Sequence, residues 1–183
     1  PPERDFVVLQ YIHCRRPGEV KELCAEDIHL DEREVIYPIK KQKYGEDNRR
    51  AVDMVNEREY QYLEHLQSEA SGLLFPTAQR RLESIRKPFR EVRDGLGITQ
   101  LPLKNLRHTR ISQLKSVGWE PVQIRDTYTH HKQLSTLQDK YLSSVDEALT
   151  EEQLWGIVPT VGQAGQDDGD VVGQVIARFG LNG

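Results

Sequence analysis

One stretch of this 183-residue chain breaks an otherwise helical pattern, and that break limits the fold more than any other feature. Val35 to Lys40 and Arg49 to Val55 read as extended runs around Tyr44-Gly45-Glu46-Asp47-Asn48, a polar, Gly-containing turn; this predicts a β-hairpin with a charged tip. On either side, apolar residues recur at helical spacing. Phe6, Val7, Val8, Tyr11 and Ile12 form one such set, Pro17-Gly18 interrupts it, and Glu19 to Cys24 resumes it. Tyr60, Leu63 and Leu66 share a face of a helix from Asn56 to Glu69. Phe75-Pro76 marks a loop before another helix, which runs to about Arg93 and ends at Asp94-Gly95 and Gly97. Leu106 to Val117 gives an amphipathic helix stopped by Gly118, Pro121 opens the next towards Tyr128, and Leu134 to Leu142 and Asp146 to Trp155 read as two more. The expected class is α+β: a mostly helical domain with a small antiparallel sheet.

No apolar run approaches the roughly 18 residues a membrane span needs, and Pro1-Pro2-Glu3-Arg4-Asp5 lacks the basic start and apolar stretch of a secretory signal. A cytoplasmic protein without membrane partners is expected. Cys14 and Cys24 then read as free thiols, a disulfide being the alternative.

The formal net charge of −4 argues against nucleic acid only until its distribution is considered. Residues 1–141 carry 24 Lys and Arg against 22 Asp and Glu, whereas residues 142–183 carry one against seven. Between residues 79 and 110, nine basic side chains (Arg80, Arg81, Arg86, Lys87, Arg90, Arg93, Lys104, Arg107, Arg110) face three acidic ones, a block suited to phosphates or, more blandly, to a solvated helix face. Gly162 to Gly173 holds four glycines and three aspartates, a linker-like composition, and Val171 to Phe179 is apolar enough to dock on this chain or another copy.

Three short runs carry chemistry: Cys14-Arg15-Arg16-Pro17-Gly18-Glu19-Val20, Lys104-Asn105-Leu106-Arg107-His108-Thr109, and His130-His131 with Tyr141 ten residues after His131. Metal-free phosphodiester cleavage needs cationic donors on the nonbridging oxygens, a nucleophile and an acid for the leaving oxygen. Arginine donates two parallel bonds and stays charged. A tyrosine phenol, with a pKa near about 10, leaves more readily than an alkoxide and keeps a covalent step reversible. Each residue also has an ordinary reading: Arg16 paired with Glu19 one turn away, Lys41 and Lys43 keeping an edge hairpin soluble, Tyr141 as a half-buried core tyrosine. Adjacent histidines also suggest a metal, but no third ligand is suitably spaced.

Taken together, Arg16, Leu106-Arg107-His108-Thr109, His131 and Tyr141 resemble, in order and spacing, the catalytic domain of the tyrosine site-specific recombinases of the phage-integrase family, over roughly residues 5–145. The resemblance implies that Arg16 and Arg107 are the two catalytic arginines, His131 the second histidine, Tyr141 the nucleophile, Glu19 and His108 supporting residues, and a hairpin lysine the acid, for which Lys43 is preferred and Lys41 is the substitute. It further implies a catalytic domain over residues 1–158, with 159–183 a linker and tail docking in cis or in trans, and no metal or cofactor. The partners implied are double-stranded DNA, contacted by Lys41, Arg80, Arg81, Arg86, Lys87 and Arg90, and further copies of the chain, as a tetramer on DNA.

This sequence departs from the family's pattern at three positions: Lys104 stands where a histidine is usual, Cys14 where a glycine precedes the first arginine, and His130 where a glycine precedes the histidine. The activity implied is site-specific strand cleavage and rejoining, by integration or excision, through a 3'-phosphotyrosyl intermediate. Alternatives are a topoisomerase-like nicking-closing enzyme, an inactive DNA-binding module of the same fold, and a helical interaction domain. Family members usually carry a separate N-terminal DNA-clamping domain, so a fragment is expected.

Overall fold

The computed structural model describes residues 2–38, 49–98, 101–130, 150, 152, 155, 158 and 171–181. Helix α1 (Pro2–Ile12) runs through the core, and every side chain from Phe6 to Ile12 is buried. A helix buried on all sides needs apolar neighbours on all sides. These are α5 (Glu83–Gly95), α6 (Leu106–Ser116) and the C-terminal helix α8 (Val171–Leu181). Two polar side chains on α1 reach partners on neighbouring elements: Gln10 donates to the carbonyl of Leu103 at 2.5 Å, and the Tyr11 hydroxyl bonds to Gln113. Helix α8 lies against α1 and α5 of the same chain, burying Val172, Val175 and Ile176.

The hairpin belongs to a three-stranded antiparallel sheet of order β1 (Ile28–His29), β2 (Glu34–Pro38), β3 (Arg49–Asp53). Val35 pairs with Val52 and Ile36 with Ala51, so the strand period sends Val35, Tyr37 and Val52 into the core. Residues 39–48, with Lys41 and Lys43, lie outside the described residues.

Helix α3 (Glu57–Glu69) starts where Asn56 accepts a hydrogen bond from the Glu59 amide at 2.9 Å, a side-chain cap worth about 1 kcal/mol. The single helix expected between the Phe75-Pro76 loop and Arg93 is two: α4 (Pro76–Arg80) ends where Arg81 turns extended (φ −149°, ψ 102°), and α5 begins at Glu83. No Gly or Pro marks that break. Helix α2 (Pro17–Val20) follows α1 after a tight turn. Helix α7 (Pro121–Ile124) widens into a π-turn over Arg125–Thr129, which His130 ends in the left-handed region (φ 48°, ψ 37°). The helix expected over Leu134 to Leu142 lies outside the described residues, as does most of the one from Asp146 to Trp155.

Candidate active site

The turn after α1 buries one of two consecutive arginines and leaves the other half exposed. Cys14 has a left-handed backbone (φ 51°), which redirects the chain before Arg15. The Arg15 side chain is only 2% exposed, and Arg16 is 50% exposed. Arg15 turns inward, bonding the carbonyls of His13 (3.1 Å) and Tyr128 and lying over the Tyr37 ring. Burial pulls its guanidinium down to about 10, while Glu19 opposes the shift.

Glu19 organises both arginines from the first turn of α2. Its carboxylate accepts from the Arg16 amide at 3.1 Å and from Arg16 Nη1 at 3.0 Å, and lies 3.9 Å from Arg15 Nη1. The local reason is a capping arrangement: Arg16 is the N-cap, Pro17 fills the first helical position, and Glu19 reaches back. The ordinary reading of Arg16, a pair with Glu19, therefore holds without consuming the residue, because its guanidinium remains half open to solvent.

The second arginine arrives from α6. Arg107 sits in the first turn, is 4% exposed, and donates from Nη1 to the carbonyl oxygen of Cys14 at 2.8 Å. Next to it, Lys104 and His108 are exposed, Lys104 on a 3₁₀ turn (Leu103–Asn105). Arg16, Pro17, Lys104, Asn105, Arg107 and His108 line a cleft of about 270 Å³. The N-terminal end of α6 adds its positive peptide dipole to three cationic side chains and a histidine, so the cleft suits an anion.

A second cleft, of about 300 Å³, shares Pro17 and Lys104 with the first and carries Arg86, Arg90, Arg93 and Glu83. Of the basic residues proposed to hold DNA, Arg86 and Arg90 line this cleft, while Arg80, Arg81 and Lys87 line neither. Lys87 pairs with Glu91 at 3.9 Å on an exposed face, and Arg90 with Glu83 at 3.0 Å. His131 and Tyr141, like Lys41 and Lys43, lie outside the described residues.

Behind the arginine turn, His13, Tyr37 and Glu59 form a buried chain that ties α1, β2 and α3 together. His13 Nδ1 is 2.6 Å from the Tyr37 hydroxyl, and Nε2 is 2.5 Å from Glu59. Burial pushes the Tyr37 phenol far above its usual range, so it keeps its proton; a carboxylate only accepts, so Nε2–H donates to Glu59. The other Glu59 oxygen accepts from the Val55 amide at 2.9 Å.

A scan against protein-family models finds no match, and a search of the curated proteins finds none. Among solved structures, the crystal structure of XerA recombinase is similar, with a TM-score of 0.59 at 21% identity. The likeness covers 80% of this chain and 60% of that one. The fold is similar to that of a recombinase.

The expected α+β class therefore holds, with the sheet beside a mostly helical body. Arg93, Arg15 and the His13-Tyr37-Glu59 chain were not singled out by sequence reasoning. Arg93 belongs to the basic block, but Arg15 and His13 carry no signal beyond their neighbours, because adjacent residues reveal nothing about which one turns inward. Among the described residues, no helix is long and apolar enough to cross a membrane.

Proposed function

We propose that this chain is the catalytic domain of a tyrosine site-specific recombinase, cleaving and rejoining DNA without a metal. The observation that carries the reading is the convergence of Arg16, Lys104, Arg107 and His108 around one anion-sized cleft from segments some ninety residues apart. Similarity to the XerA recombinase fold supports it.

In this reading the scissile phosphate occupies the cleft, with Arg16 and Arg107 donating to its nonbridging oxygens. The Tyr141 oxygen attacks phosphorus, the bond to the 5'-oxygen breaks, and Lys43, or Lys41 in its place, protonates the leaving oxygen. A 3'-phosphotyrosyl link and a free 5'-hydroxyl result; attack by a 5'-hydroxyl from a partner duplex reverses the step and exchanges strands. His131 adds a donor to the phosphate and Lys104 assists proton transfer. Bond energy is conserved, so no nucleotide cofactor is required.

Residues 1–158 form the catalytic unit and 159–183 the linker and tail, acting in a tetramer on DNA in the cytoplasm. The chain spans 60% of the solved recombinase's length. The test is covalent trapping on duplexes carrying a 5'-bridging phosphorothiolate at candidate sites. A protein–DNA adduct that survives denaturation is expected; DNA binding without an adduct from any substrate favours an inactive module.

A further inference from the structure

Helix α5 carries Glu83 at its start and Arg86, Arg90 and Arg93 along one face. Glu83 has a basic neighbour at each position where a helical ion pair ordinarily forms, Arg86 three residues on and Lys87 four. Among the described residues its carboxylate passes both and accepts from Arg90 Nη2 at 3.0 Å, seven residues on. An acid in the first turn suits the helix dipole, but the dipole does not account for a reach of two turns.

The reach ends in the second cleft, which Glu83 lines together with Arg86, Arg90, Arg93 and Lys104. Phe89 and Leu103, both buried, supply apolar wall, and a cleft of one charge sign with low-dielectric walls concentrates the field. The Arg93 side chain is 15% exposed and donates from Nε to Asp94 at 2.8 Å, which fixes its guanidinium at the wall. The pair of Glu83 with Arg90 is of the exposed kind, weak enough for another anion to displace the carboxylate. Pro17 and Lys104 belong to both clefts, so an anion here sits beside one held by Arg16 and Arg107.

We propose that the second cleft is a subsite for a phosphodiester flanking the scissile one, and that the Glu83 carboxylate holds Arg90 in the unbound protein as an internal competitor. As the phosphate enters, Arg90 passes from Glu83 to a phosphate oxygen, with Arg93 and Lys104 as further donors. Glu83 thereby weakens DNA binding by the strength of the pair that has to be broken. The flanking position rests on the recombinase reading; the exchange of carboxylate for phosphate stands without it.

The test compares the intact chain with Glu83→Gln and with Glu91→Gln, which removes an equal charge from the same helix outside both clefts, where Glu91 pairs with Lys87. Fluorescence anisotropy reads the binding of a short duplex of arbitrary sequence across a salt series, and calorimetry reads the binding of inorganic phosphate. Glu83→Gln is expected to bind the duplex about two- to fivefold more tightly, the release of one exposed ion pair, and Glu91→Gln to stay near the intact chain. Arg93→Gln is expected to reduce the slope of log affinity against log salt by about 1. Equal gains in the two glutamine variants overturn the internal competitor, and an unchanged slope in Arg93→Gln overturns the subsite. A gain with inorganic phosphate but none with the duplex makes the cleft a site for a free anion and overturns the flanking phosphodiester. Should the expected shifts appear while the unaltered chain forms no adduct on phosphorothiolate duplexes, the phosphate subsite stands and the recombinase reading falls; an adduct without the shifts does the reverse.

Discussion

Arg107 donates from Nη1 to the carbonyl oxygen of Cys14 at 2.8 Å, joining the first turn of α6 to the turn that presents Arg16. The two arginines are thereby held by one backbone contact, so Arg107 has a structural role beside the phosphate contact proposed for it. Arg107→Ala is expected to lower stability by about 1–3 kcal/mol, the cost of a buried acceptor left bare, and to slow adduct formation by about 10²–10³. Arg107→Lys keeps the charge without the planar fork, and its rate should fall between the two. Urea unfolding and single-turnover trapping separate the effects.

Arg16 should behave differently. Its side chain is half exposed and its pair with Glu19 is local, so Arg16→Ala is expected to change unfolding free energy by less than about 1 kcal/mol. Adduct formation, by contrast, should fall by at least about a hundredfold. Equal losses of stability and rate would make Arg16 structural.

Glu19 reverses that pattern. Replacing it with Gln removes the charge beside Arg15, and the buried guanidinium then lacks its charge partner; a loss of about 1–3 kcal/mol in unfolding free energy is expected from urea titration. Adding Arg15→Met to the variant should recover part of that loss, because an apolar side chain of similar length removes the uncompensated charge.

Acid sensitivity follows from His130. Burial lowers its pKa, Arg15 and Arg50 add to the shift, and Asp126 and a hydrogen bond to the Ala51 backbone oppose it. A folded-state pKa below the unfolded 6.5 means stability fully present above that value and lost as pH falls through the folded pKa. The intact chain should therefore lose more stability than His130→Gly between pH 7 and pH 5. Parallel curves for the two proteins would contradict this.

DNA affinity is expected to depend on the second cleft. Arg86→Gln and Arg90→Gln should each reduce the slope of log affinity against log salt by about 1, whereas Lys87→Gln, outside both clefts, should reduce it less. Filter binding or fluorescence anisotropy across a salt series measures the slopes.

The hairpin strands, α6 and the start of α7 were legible because their extended and helical patterns were bounded by Gly or Pro. Strand β1 was not, since the two residues Ile28 and His29 carry no period. The α4–α5 break at Arg81 left no mark in a basic run that suits a helix surface throughout. At the candidate site, motif order picked out Arg16, Lys104, Arg107 and His108, which line one cleft, and Glu19, which pairs with Arg16. The inward turn of Arg15 was not legible, because it depends on the left-handed Cys14. Cys14 and His130 read as departures at positions where glycine was expected. Both adopt positive φ in the structure, so a glycine-like backbone persists without glycine.

The most direct test of the central claim is to trap the protein on a phosphorothiolate duplex, digest the adduct and locate the DNA-linked residue by mass spectrometry. The account predicts the link at Tyr141, with no adduct from Tyr141→Phe and a greatly reduced yield from Arg16→Ala. An adduct at another residue, or one that persists in Tyr141→Phe, would contradict it.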